Sequence, residues 1–241
     1  MSGHSKWKNI IHKKEKTDSQ RAKIFTKIGR EIILAVKESG PDTSSNSKLQ
    51  DIINKAKANN VPNENIERVI KKAAGNDDSV NYEVINYEGY GPKGIAIIVE
   101  TLTDNRNRTA GDMRHYFDKY SGNLGQANSV SWQFTQKGVI VIEKSSINED
   151  KLIEDLLDTA VDDYVIEEEV YEIYTKPENF LTTKEYLKNK KYKFLSDDIE
   201  MIPGTYISLD DEDDIKNMQK LLDMLEDDDD VQNVWHNWDE N

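Results

Sequence analysis

Residues 82–102 read YEVINYEGYGPKGIAIIVETL and mark the place where the chain changes its hydrophobic period. Apolar residues follow a period of two over Tyr82–Tyr90 and Ile95–Leu102, which indicates two strands. The two are joined by the segment from Gly89 to Gly94, which contains three glycines and a proline. These glycines could cradle a phosphate, but their spacing matches neither the P-loop nor the dinucleotide fingerprint, so we interpret them as a plain turn.

Towards the N-terminus, the apolar period is that of helices. Three segments within residues 17–75 repeat apolar residues every three to four positions, with breaks at Gly40-Pro41 and at Asn59–Pro62. Ser47 and Gln50 have the spacing of a capping box at the start of the second segment. We therefore predict a small three-helix domain. Two of its helices could form a helix-turn-helix, but any small helical bundle gives the same pattern.

Towards the C-terminus, helical and strand periods alternate. A helix capped by Asp104 or Asn105 is predicted to reach Tyr120, and a strand is predicted over Val130–Phe134. From Gly138 the order is strand, helix, strand, strand, helix, strand, which is the split βαβ or ferredoxin-like order. The strands are predicted near Val139–Glu143, Tyr164–Glu168, Val170–Tyr174 and Lys193–Ile202, and the helices near Glu149–Val161 and Lys176–Asn189.

The last predicted elements, a strand, a helix and a strand after Pro203-Gly204, could complete the sheet that begins at Tyr82. The sequence thus predicts an α+β multidomain protein, in which an N-terminal three-helix domain is followed by two α+β domains. The ferredoxin-like domain would be inserted into the other one. The predicted domains are residues 1–76, residues 80–136 with 204–241, and residues 137–203.

The charge of the chain is divided unevenly. Residues 1–75 contain 16 Lys and Arg against 8 Asp and Glu, a net charge of +8, whereas residues 76–241 contain 16 against 38, a net charge of −22. Such asymmetry favours contact of the basic part with a nucleic acid or a membrane. The acidic part would repel a phosphate backbone and so orient the basic end towards it.

The first thirty residues contain nine lysines and arginines, opposed only by Glu15 and Asp18. Trp7 lies between two lysines, and an exposed indole in that position can stack on a base while the lysines hold phosphates. The alternative is that this segment is a frayed, soluble terminus and that Trp7 has no part in binding. We predict a nucleic-acid-binding set of His4, Lys6, Trp7, Lys8, Lys13, Lys14, Lys16, Arg21, Lys23, Lys27, Arg30, Arg106 and Arg108.

Several protein classes fit the composition poorly. The chain has no cysteine, which excludes disulfides and thiolate metal sites. It also has no apolar run of the roughly 18–20 residues that a membrane-spanning helix needs, and no apolar segment of a secretory signal. Trp7, Ile10 and Ile11 are too few for a membrane-anchoring face. We expect a cytoplasmic protein without a membrane partner.

An enzyme is the rival class. The four histidines, at positions 4, 12, 115 and 236, lack zinc-ligand spacing, and no G-x-S-x-G elbow is present. Asp104 could act as a base, with Arg106 and Arg108 as an anion clamp. These residues could equally form a helix cap with a surface ion pair, or the arginines could hold phosphates. We expect no catalysis and no cofactor.

Two acidic runs follow Leu209. Asp210–Asp214 precedes a predicted helix, where carboxylates favour the helix dipole, whereas Glu226–Asp230 ends it, where they do not. Oxygen ligands for a metal are conceivable, but the spacing is not that of an EF-hand. We expect both runs to be solvated.

The chain resembles the YebC/PmpR family of bacteria and organelles over nearly its whole length. The resemblance lies in Gly3–Trp7 (GHSKW), Lys23–Phe25 (KIF), Asn65–Lys72 (NIERVIKK), Tyr87–Gly94 (YEGYGPKG), Ile97–Glu100 (IIVE) and Thr103–Thr109 (TDNRNRT). It implies a helical N-terminal domain followed by two α+β domains. Asn128 departs from the family pattern, since it stands where glycine is usual.

Two ligands are compatible with this resemblance. Members are commonly labelled transcriptional regulators that bind DNA, but the family also includes a mitochondrial activator of cytochrome c oxidase translation and bacterial members proposed to assist ribosomes. The lysines on the first predicted helix suit phosphates better than base edges. We therefore expect a non-enzymatic regulator of gene expression that binds ribosomal RNA or the ribosome. A sequence-specific DNA-binding regulator is the alternative.

Overall fold

A computed structural model of the chain describes residues 18–75 and 81–239. They form helices α1 (Asp18–Ser39), α2 (Ser47–Ala58), α3 (Asn63–Ala74), α4 (Arg106–Lys119), α5 (Glu149–Leu157), α6 (Pro177–Asn189) and α7 (Glu212–Asp227). The strands are β1 (Glu83–Tyr90), β2 (Ala96–Thr103), β3 (Asn123–Leu124), β4 (Phe134–Glu143), β5 (Val161–Ile166), β6 (Val170–Thr175), β7 (Phe194–Pro203), β8 (Ile207–Ser208), β9 (Val231–His236) and β10 (Trp238–Asp239). No helix in this described part is both long and apolar enough to cross a membrane.

The first three helices pack around one apolar core that includes Ile28, Ile32, Leu49 and Ile66. The cap of α2 is Asn46, not the predicted Ser47: its side-chain oxygen accepts from the Leu49 N–H at 2.9 Å. The Asn46 amide also donates to the carbonyls of Ala35 and Gly40, at 2.9 and 2.8 Å. An amide both accepts and donates through separate atoms, so one buried side chain holds the start of α2 against the end of α1.

The sheet that begins at Glu83 has the strand order β3-β1-β2-β9. β1 and β2 pair antiparallel from Glu83 opposite Thr103 to Tyr90 opposite Ala96, joined by a tight turn over Pro92–Gly94. The glycine-rich segment is therefore a turn, as predicted. Because β9 follows the whole of β4–β7 in the chain, the insertion of one α+β part into another is also confirmed.

The second four-stranded sheet has the order β5-β6-β4-β7 with every neighbour antiparallel. This arrangement confirms the ferredoxin-like order. One face buries Ile140 and Tyr171 against Leu152 of α5 and Phe180 of α6. Gly138 makes this packing possible, since an added Cβ would lie 2.5 Å from the Phe180 ring.

The predicted strand over Val130–Phe134 is wrong. Residues 131–133 form a short 3-10 helix, and β4 begins only at Phe134. The Val130 N–H donates to the buried Glu88 carboxylate at 2.8 Å instead of to a strand. The other Glu88 oxygen accepts from the Asn128 N–H at 2.9 Å. Asn128 has a φ of 65°, in the left-handed region that asparagine tolerates.

The described residues fall into two compact units. One consists of residues 18–75, 81–130 and 210–234, and the other of residues 131–209 and 235–239. The first therefore contains the three-helix part, strands β1, β2 and β3, and residues 231–234 of β9. The three domain boundaries given above stay a prediction.

Candidate nucleic-acid interface

The basic face of α1 is bonded to the C-terminal end of α7, a relationship that the sequence did not predict. The Lys23 ammonium lies 2.9 Å from the Asp227 carboxylate and donates to the Asp227 carbonyl, also at 2.9 Å. The Lys27 ammonium donates to the Glu226 carbonyl at 2.7 Å. These contacts use positive charges that we expected to meet phosphates.

Helix chemistry explains this pairing. The last carbonyls of a helix have no partner within the helix, and its C-terminal end carries partial negative charge. In α7 the side chains of Glu226 and Asp227 add two more negative charges at that end. Lys23 and Lys27 supply the cations that α7 itself lacks in its last turn.

Arg30, on the same side of α1, forms a largely buried ion pair with Asp230, beyond the end of α7. Its guanidinium donates to the Asp230 carboxylate and, at 2.8 Å, to the Asp229 carbonyl. Arg108 of α4 binds the same carboxylate at 2.8 Å and also binds Asp104 at 2.8 Å. The side chains of Arg30 and Asp230 are only 15% and 5% exposed. This centre joins α1, α4 and the residues before β9.

Two threonines complete the environment of Asp230. The hydroxyls of Thr103 and Thr109 donate to its second oxygen at 3.0 and 2.7 Å. Burial alone would raise the pKa of Asp230, but the hydrogen bonds from Arg108, Thr109 and Arg30 outweigh it and lower the pKa to about 2. The hydrogen bonds that Arg108 donates to Asp230 first, and also to Asp104, raise the pKa of Arg108 above its usual range. Asp230 is therefore an anion in the folded chain.

Arg106 and Arg108 bind different carboxylates. The Arg106 guanidinium donates to Glu83 at 2.8 Å on an exposed surface, whereas Arg108 is held by Asp104 and Asp230. The structure thus places Arg106 and Arg108 in separate ion pairs and does not join them in one clamp. Their contact with phosphates stays a prediction.

The acidic runs have two different roles. Asp211 caps α7 by accepting from the N–H groups of Asp213 and Asp214, at 3.0 and 3.1 Å. The expectation that Glu226–Asp230 is a solvated run is wrong, because Asp230 is buried within the ion pair. Asp228 also accepts from the Tyr116 hydroxyl at 3.0 Å, and burial raises its pKa. Residues 226–230 therefore form contacts with α1 and with Tyr116 of α4.

A second basic row, on α3, consists of residues that the predicted nucleic-acid-binding set does not include. Arg68, Lys71 and Lys72 are exposed and lie three and four residues apart, so that they share one side of the helix. Among residues 18–75 and 81–239 they form no ion pair. The spacing of these residues was the signal available in the sequence. The structure adds that all three are exposed, whereas Lys23 and Lys27 of α1 are bonded to the end of α7.

Most of the predicted set lies outside the described residues. Those positions are His4, Lys6, Trp7, Lys8, Lys13, Lys14 and Lys16. Arg21 lies in α1, but its side chain is outside the description. Within the parts that are described, no three histidine or carboxylate side chains are grouped as a metal would require.

Comparison with known proteins gives matches along nearly the whole chain. The TACO1/YebC protein N-terminal domain matches residues 5–76, and the TACO1/YebC second and third domain matches residues 82–238. A relative from Acetivibrio thermocellus, called "Probable transcriptional regulatory protein", is 58% identical over 239 residues and covers 99% of both chains. One from Caldicellulosiruptor bescii with the same name is 55% identical over 242 residues, covering 100% of this chain and 99% of its own.

A solved structure agrees with these sequence matches. The crystal structure of a conserved hypothetical protein from Aquifex aeolicus superposes with a TM-score of 0.82 at 41% identity, covering 92% of each chain. The expected resemblance and its mixed α+β fold are thereby confirmed. The chain belongs to the TACO1/YebC family.

Proposed function

We propose that this protein is a non-enzymatic regulator of gene expression that binds structured RNA, with the ribosome as its main partner, in the cytoplasm. The observation that carries the proposal is the separation of charge between residues 1–75, at +8, and residues 76–241, at −22. A cationic segment on an acidic protein is suited to a polyanion, which the acidic remainder turns towards the basic end. The names of the relatives support a regulatory role.

The lysine-rich segment before α1 would supply most of the phosphate contacts. Lys6, Lys8, Lys13, Lys14 and Lys16 carry five positive charges within eleven residues around Trp7. Such a segment can order on a folded RNA, with the indole stacked on a splayed base. Arg21, Arg106 and Arg108 would extend this contact, and His4 lies within the same segment.

The α1 cations would have a second role. Lys23, Lys27 and Arg30 are bonded to residues 226–230, so a nucleic acid would reach the two lysines only by replacing those contacts. The side chain of Arg30 is only 15% exposed, and we assign it to the ion pair before any phosphate. We therefore expect Lys23, Lys27 and Arg30 to contribute less to phosphate binding than their three positive charges alone would suggest.

The residues of α3 are poorly suited to the recognition helix of a helix-turn-helix, which reads base edges in duplex DNA. In such a motif the second helix enters the major groove and places Arg, Asn or Gln at base edges. The exposed residues of α3 include Glu64 and Glu67 as well as Arg68, Lys71 and Lys72, so a helix laid in the groove would bring two carboxylates as well as three cations to the phosphates. This composition favours RNA with unpaired bases over promoter DNA.

A competition experiment tests the proposal. Purified ribosomes and a promoter fragment are offered together at near-physiological salt, and the protein bound to each is measured. We expect retention on ribosomes. Retention on the promoter alone, with a preference of a hundredfold or more over random duplex, would instead establish the alternative, a sequence-specific DNA-binding transcriptional regulator as the relatives' names suggest.

A further inference from the structure

α1 and α3 border an open cleft on the side of α1 that is turned away from the ion pair with Asp230. Its walls include Phe25, Gly29 and Ile32 from α1, and Asn65, Arg68 and Val69 from α3. On α1, the cleft residues Phe25, Gly29 and Ile32 follow helical spacing, and the three cations bonded to residues 226–230 fall on the opposite side. The cleft is thus independent of the α7 contact.

The size of the cleft limits what it can hold. Its volume is about 210 Å³, below the roughly 300–1,000 Å³ of pockets for drug-sized ligands. Its floor is apolar, and the ring of Phe25 is partly exposed along one wall. A flat group of one or two fused rings fits such a space.

Polar and cationic groups lie along one rim. Asn65 and Arg68 line the cleft, and Lys72 follows Arg68 at i+4 on α3, so the three residues form a row that begins at the cleft. The Arg68 guanidinium donates to the Asn65 side-chain oxygen at 3.1 Å, which leaves the Asn65 amide group as a donor. Arg68 and Lys72 are exposed and form no ion pair within the described part of the chain. The rim therefore attracts an anion next to an apolar slot.

We propose that this cleft binds one unpaired nucleobase of single-stranded RNA. The base stacks against Phe25, the Asn65 amide donates to an acceptor on the base edge, and Arg68 and Lys72 contact the flanking phosphates. Aromatic stacking beside cations is the way in which proteins hold unpaired bases. The inference rests on the proposed function and names a site for it within the helical domain.

Gly29 provides the test, because it has no side chain where one would enter the cleft. An added Cβ there meets nothing within 4 Å. Gly29→Leu should fill the slot and also raise the melting temperature, since leucine is a better helix former than glycine. Gly111→Leu in α4 is the matched control: Gly111 is exposed in a helix and its added Cβ also meets nothing within 4 Å.

The probes are a labelled oligoadenylate and the same strand with abasic positions. We expect Gly29→Leu to weaken oligoadenylate binding about tenfold or more, with abasic binding unchanged and with both probes unaffected by Gly111→Leu. Phe25→Leu, which keeps an apolar wall but removes the ring, should give the same selective loss.

The following outcomes would overturn the site. Equal oligoadenylate affinity of the two leucine variants would show that no base enters the cleft. Lower stability of Gly29→Leu, with RNA binding unchanged, would indicate that the cleft is covered by an apolar segment of the chain. If the unaltered protein prefers oligoadenylate over the abasic strand but Gly29→Leu keeps that preference, only the site fails. If the unaltered protein is retained neither on these probes nor on ribosomes, the proposed function fails with it.

Discussion

Arg30 and Asp230, two hundred residues apart in the chain, form an ion pair of which both side chains are largely buried. Arg108, Thr103 and Thr109 converge on the same carboxylate. A buried carboxylate with four donors is stable only while all of them remain in place. This pair is a polar link between α1 and the residues that lead into β9.

Replacement of Asp230 should therefore destabilise the protein. Asp230→Asn leaves the Arg30 guanidinium without its anion and Arg108 with Asp104 as its remaining carboxylate, and we expect a loss of about 3 kcal/mol in the free energy of unfolding. Urea unfolding measures it. Asp229→Asn is the control, since the side chain of Asp229 is exposed, and it should change stability by less than about 0.5 kcal/mol. Equal effects of the two variants would contradict the importance of the ion pair.

The pH dependence of stability should carry the signature of the same carboxylate. The pKa of Asp230 is about 2 in the folded chain, against about 3.9 when unfolded. The folded state then prefers the anion, so this contribution is present above pH 4 and is lost as pH falls towards 2. The stability difference between the unaltered protein and Asp230→Asn should shrink by about 2 kcal/mol over that range. A difference that stays constant with pH would contradict the lowered pKa.

Salt dependence tests the lysine-rich segment. If five to eight basic residues contact phosphates, a plot of log K against log salt has a slope of about −0.7 to −0.9 per contact. Lys13→Ala with Lys14→Ala should reduce the slope by about 1.5. Lys216→Ala with Lys220→Ala removes the same charge from an exposed part of α7 and should leave the slope unchanged. An unchanged slope in the first variant would place the phosphate contacts elsewhere.

Trp7 should contribute by stacking. Removal of an aromatic ring that stacks on a base costs about 1–3 kcal/mol. Trp7→Ala should therefore lower affinity for unpaired RNA about tenfold or more while circular dichroism and thermal unfolding stay the same. Loss of stability with unchanged affinity would assign the indole to packing within the chain.

Local periodicity was sufficient for most of the secondary structure. The strand-like pattern of apolar residues after Tyr82 located β1 and β2, and the order of elements after Gly138 gave the ferredoxin-like sheet. The exceptions have local causes. Residues 130–134 alternate like a strand, but the Glu88 carboxylate binds the Val130 N–H and the chain turns, which leaves Trp132 76% exposed.

The candidate site was much less predictable. Lys23, Lys27 and Arg30 form a basic stripe in the sequence, and a stripe of this kind is compatible with phosphates, solvent or a distant helix end. Their partners lie about two hundred residues away, so no spacing rule connects them. Asp230 likewise stands in an acidic run that resembles a solvated surface, and only the fold shows that it alone is buried there.

The return of the chain to its first sheet sets a condition on biosynthesis. β1 and β2 are made early, but β9, which flanks β2, and the Asp230 carboxylate leave the ribosome only after the whole ferredoxin-like part. Chains fold from the N-terminus as they emerge, so until then an edge of β2 and the guanidinium of Arg30 are exposed. A nascent chain would thus present its helical part in a cationic form that exists only before synthesis ends.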